Sequence, residues 1–76
     1  MHIKVTDTHI AIGRRESPTN CPIALAIRSV LPAEDVSVGT YSATVDTVFY
    51  QLPSQAVQFI TDFDASCAVE PFEFDL

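Results

Sequence analysis

A chain of 76 residues has room for a single hydrophobic core, because a domain of this size buries only about 60% of the surface that its unfolded form exposes. Residues 1–76 therefore read as one domain. Domains this short often rely on disulfides, a metal or a second subunit for stability. Two cysteines, Cys21 and Cys67, build no disulfide framework. A zinc site from His2, His9, Cys21 and Cys67 would draw scattered ligands without the close pairs that make such motifs specific, so no metal and no other cofactor is expected. A homo-oligomer remains, and a 47% apolar composition leaves side chains for its interface.

Met1 leads directly into an alternating segment without the apolar stretch of a signal peptide. No apolar run approaches the roughly 18 residues of a membrane-spanning helix. These features point to a soluble, cytoplasmic protein without a membrane partner.

Apolar periodicity predicts an α+β chain. His2-Ile3-Lys4-Val5 alternates as a half-buried strand. Thr6 is placed to cap a short helix with Asp7 in its first turn and Ile10 inward, and Gly13 suits a left-handed helix end. Residues 14–19 read as a loop. A main helix follows, capped by Thr19 or Asn20, with Pro22 in its first turn, Ile23, Ala26, Ile27 and Val30 at helical spacing, and Pro32 ending it. Val36 to Val38 and Ala43 to Leu52 read as two hairpin strands. Pro53 opens a second amphipathic helix whose buried stripe is Val57, Ile60 and Phe59 or Phe63, ending near Ala65. Phe72 to Leu76 alternates as a last strand. The expected architecture is a small two-layer sandwich: a four-stranded sheet with helices on one face, in the order β-α-α-β-β-α-β.

The net charge of −6 conceals an asymmetry: Lys4, Arg14, Arg15 and Arg28 are the only lysines and arginines, whereas eight of the ten acids lie from Glu34 onward. A nucleic-acid duplex is disfavoured as a partner, because it requires several distributed cations. A small anion docked at one place is compatible with this pattern. The candidate site is the loop Arg14-Arg15-Glu16-Ser17-Pro18-Thr19-Asn20, which delivers the chain to a helix N-terminus. Free N–H groups and the helix dipole attract an anion there, and two arginines add fork-shaped donors suited to phosphate. Ser17, Thr19 and Asn20 offer further hydrogen bonds, and Arg28 supplies another cation on the helix. Tyr50 is the candidate aromatic for stacking on a base. The competing interpretation is that Asn20 only caps, Ser17 and Pro18 only turn, the arginines only solvate a surface, and the aromatic only shields the sheet.

Cys21 at a helix N-terminus beside arginines would have a depressed pKa. No histidine is fixed beside it as a base, however, and a small apolar packing role explains it more simply. No catalytic residue is assigned, and the chain is not expected to be an enzyme. The acids Asp62, Asp64, Glu70, Glu73 and Asp75 match no calcium-loop spacing and default to a solvated face.

The segments Asn20-Cys21-Pro22-Ile23-Ala24-Leu25-Ala26, Val36-Ser37-Val38-Gly39, Leu52-Pro53, Phe59-Ile60-Thr61-Asp62-Phe63-Asp64 and Val69-Glu70-Pro71-Phe72-Glu73-Phe74 together resemble a group of very small phage and prophage proteins. The resemblance carries no catalytic residues. It implies a host-takeover role, either sequestering a nucleotide-derived signal of host defence in an oligomer or inhibiting a host protein through the acidic half from Glu34 to Leu76.

Overall fold

The computed structural model describes residues 1–32 and 35–76. Its elements are β1 (His2–Val5), α1 (Asp7–Ile12), α2 (Pro22–Val30), β2 (Val36–Val38), β3 (Ser42–Val45), β4 (Val48–Gln51), α3 (Ser54–Asp64) and β5 (Phe72–Asp75).

The alternation at both ends of the chain produces one structure. β1 and β5 pair antiparallel, with His2 opposite Asp75, Ile3 opposite Phe74 and Lys4 opposite Glu73. Ile3, Val5 and Phe74 are buried, so His2, Lys4, Glu73 and Asp75 share the outer face. Beyond the strands, Met1 and Leu76 continue the pairing, Leu76 donating its N–H to the Met1 carbonyl at 2.8 Å.

Thr6 caps α1 through a capping box, its hydroxyl accepting from the His9 N–H while the His9 ring accepts from the Thr6 N–H. Gly13 does not adopt the expected left-handed geometry; its φ of −66° and ψ of 152° are extended. Space is what requires glycine. A Cβ here would stand 2.7 Å from the His9 carbonyl oxygen and 2.7 Å from Cδ and Cγ of Pro22.

The cap of α2 also differs from expectation. Cys21, not Thr19 or Asn20, is the N-cap, its Sγ accepting from the Ala24 N–H at 3.4 Å. Ser17 explains the displacement, because its carbonyl takes the Cys21 N–H and its hydroxyl takes the Asn20 N–H, holding residues 17–21 in a turn that starts the helix one residue later. α2 buries Pro22, Ile23, Ala24, Ala26 and Ile27 and contacts β1, β2 and α1. Val30 is exposed at its end.

The expected four-stranded sheet and its order are not found. Among the described residues, five strands form two sheets, one of β1 and β5 and one ordered β2-β3-β4, both antiparallel. Two local causes account for this. Residues 43–52 are not one strand, because Asp46 (φ 46°) and Thr47 (φ 73°) form a two-residue turn with left-handed backbone at both positions. At the sheet's other edge, the Val38 N–H of β2 donates to the Pro18 carbonyl of the loop and not to β1 or β5.

α3 starts at Ser54 with Pro53 as its cap residue. It ends in a Schellman motif: Cys67 N–H bonds to the Asp62 carbonyl and Ser66 N–H to that of Phe63, with Ser66 left-handed at φ 64°. Its buried stripe centres on Ala56 and Phe59, with Val57, Ile60 and Phe63 partly covered. Phe59 packs on Phe72 at 4.8 Å between ring centroids, and Phe72 on Phe74 at 5.4 Å. One buried cluster unites α2, α3 and both sheets. The accessible surface, 4574 Å², matches the about 4,600 Å² expected of a compact 8.3 kDa monomer.

Candidate functional site

Residues 14–20 are held by their own backbone and by three neighbouring elements. The Arg14 N–H reaches the Asn20 carbonyl at 2.9 Å, closing the loop, and Glu16 turns it with φ 56°. Its outer contacts are the Glu16 N–H to Asp64 Oδ1 at 2.9 Å, the Val38 N–H to the Pro18 carbonyl at 2.8 Å, and the Arg28 guanidinium to the Thr19 carbonyl. The Arg15 guanidinium also donates to Ser66 Oγ. α3, β2 and α2 thus each fix one part of the loop.

The loop separates the candidate residues. Arg14 and Arg15 line a groove of about 680 Å³ whose other walls are Ile10 and Gly13 on one side and Phe63, Ser66, Cys67, Ala68 and Val69 on the other. Ser17 lines a different hollow, of about 210 Å³, with Glu16, Pro18, Cys21, Ile60 and Asp64. That second hollow lies at the N-terminus of α2, where an anion was anticipated, but two carboxylates face it and neither arginine does. Thr19 and Asn20 are exposed, the Asn20 amide donating to Thr19 Oγ1 at 3.3 Å. Arg28 is engaged with the Thr19 carbonyl. Tyr50, opposite Ala43 on β4, is half-buried against the core and lines neither hollow. The outward aromatics are Tyr41 and Phe49, 70% and 68% exposed. Sequence reasoning missed the groove wall at residues 63–69, which comes from a segment distant in the chain.

Cys21 does not have the depressed pKa anticipated for its position. It is buried, and burial raises its thiol. The four zinc candidates are dispersed: His9 completes the α1 capping box, Cys21 is buried in the core, Cys67 is exposed in the arginine groove, and His2 lies on the outer sheet face. Among the described residues no group of three or more histidine, cysteine or acidic side chains is arranged to hold a metal. No described helix is long and apolar enough to cross a membrane.

The acidic half is divided as well. Glu34 lies outside the described residues. Glu73 and Asp75 flank His2, whose Nε2 is 2.5 Å from Glu73 Oε1 and whose Nδ1 is 2.8 Å from Asp75 Oδ1. Ionised carboxylates only accept hydrogen bonds, so both ring nitrogens donate to them when the ring is protonated to the imidazolium. Donation to Asp75 and then to Glu73 raises the His2 pKa above its ordinary 6.5, and the bond that Glu73 accepts from His2 lowers its pKa below 4.5.

Comparison with protein-family models, curated proteins and solved structures gave no match.

Proposed function

We propose that this chain is a non-catalytic binding protein for a small phosphate-bearing molecule of the nucleotide class, taken up in the groove beside Arg14 and Arg15. The observation that carries this reading is that half of the chain's four lysines and arginines line one open groove in a molecule of net charge −6. One Arg15 N–H is engaged by Ser66, and the remaining guanidinium donors of both residues suit phosphate oxygens. Ile10, Phe63 and Val69 give the groove an apolar wall, and Phe63 takes the base-contacting role assigned in the sequence to Tyr50. Sequestration of a nucleotide signal from host defence is the biological role that fits this chemistry together with the phage resemblance.

The test is native mass spectrometry of the protein with a panel of cyclic and linear nucleotides and ADP-ribose derivatives, followed by calorimetry of any adduct. Exchanging both arginines (R14A/R15A) removes two charged donors and should weaken binding about 100-fold or more. Both side chains are exposed, so the melting temperature should move by only a few degrees. A double variant that binds as well as the parent refutes the site.

A further inference from the structure

A second groove, of about 580 Å³, runs between α3 and the segment that leads into β5. Its floor is Phe59 and Phe72, and its apolar wall continues through Val69 and Pro71. Asp62 and Glu70 stand at its edge, and none of the four lysines and arginines lines it. Asp62 accepts from the Gln58 amide at 3.0 Å. The ion pairs among the described residues are those of His2 with Glu73 and Asp75, so neither groove acid is neutralised by a cation of this chain. Residues 68–71 run up to β5 outside both sheets.

We infer that this groove is a docking site for a basic, extended segment of a protein partner. An arginine or lysine side chain has the matching two-part chemistry: its stem lies on apolar and aromatic surface while its charged head meets a carboxylate. Residues 68–71, in neither helix nor sheet, offer main-chain groups to a peptide laid beside them, which a small amine would not use. This partner differs in class from the small anion of the arginine groove, although Ala68 and Val69 wall both openings.

The experiment is an amide NMR titration of the isotope-labelled protein with acetyl-Arg-Leu-Arg-Leu-Arg-amide, and with the same peptide carrying glutamate in place of arginine. The arginine peptide should shift the amides of Gln58, Asp62, Val69, Glu70 and Phe72, and the glutamate peptide should not. Two variants of equal charge change separate the groove from general attraction. D62N/E70Q should weaken binding about tenfold, whereas E73Q/D75N, altered on the outer sheet face, should bind within about threefold of the parent. A third variant, Gln55→Lys, adds a cation to an exposed groove residue without touching the core, and should also weaken binding. The absence of shifts, equal losses in the two double variants, unchanged binding by Gln55→Lys, or shifts centred on His2, Lys4, Glu73 and Asp75 would overturn the assignment.

Discussion

Gly13 shows that a glycine at a helix end need not be there for its conformational freedom. Its backbone angles are open to any residue, so alanine would gain about 0.4–1 kcal/mol by restricting the unfolded chain. Against this, the added Cβ would meet the His9 carbonyl and the Pro22 ring at 2.7 Å, closer than unbonded carbon and oxygen tolerate. Overpacking of this kind costs about 1–3 kcal/mol, so the clash should win. Gly13→Ala is expected to lower stability by about 1–2 kcal/mol in urea unfolding. A variant as stable as the parent would show that α1 can move away from Pro22 at little cost.

At the level of elements, Thr47 occupies a left-handed position that its branched side chain disfavours. Glycine there would relieve about 1–2 kcal/mol of strain and return about half of that through greater freedom when unfolded. Thr47→Gly should therefore raise stability by about 0.5–1 kcal/mol in the same assay; a decrease would mean that the threonine side chain contributes more than its backbone costs. The same turn explains where the sequence misled. Asp-Thr lacks the Asn-Gly or Asp-Gly signature of a tight hairpin, so β3 and β4 read as one strand. α1, α3, β1 and β5 were legible because their apolar spacing and the Thr6 and Pro53 signals agree with the packing. The Cys21 cap was hidden because sulfur is a poorer acceptor than the neighbouring Thr19 and Asn20 oxygens. Of the candidate site, the pairing of Arg14 with Arg15 in one groove was legible from adjacency. Its opposite wall at residues 63–69 depends on how α3 returns across the loop, which no local pattern encodes.

For the molecule as a whole, the outer face of the β1–β5 sheet couples stability to pH. His2 faces Glu73 and Asp75, Lys4 lies opposite Glu73, and the N-terminal amine donates to the Leu76 carbonyl; the opposite face is buried against the core. A raised His2 pKa contributes stability that is fully present below 6.5 and is lost as pH rises through the raised value. A lowered Glu73 pKa contributes stability that is present above 4.5 and is lost as pH falls through the lowered value. The clasp is therefore strongest between pH 4.5 and 6.5, where both contributions are fully present. NMR titration should place the His2 midpoint above 6.5, and His2→Asn should remove the fall in stability between pH 6.5 and that midpoint. A His2 midpoint at or below 6.5 would show that the two carboxylates do not hold the ring in solution. The strands joined by this clasp are far apart in the sequence, so during synthesis β1 leaves the ribosome well before its partner. Ile3 and Val5 have no sheet neighbour until Phe72–Asp75 has emerged, and this pairing closes a loop of nearly the whole chain. The sheet cannot close before β5 is made, and until that moment β1 is a bare edge that another nascent copy could occupy.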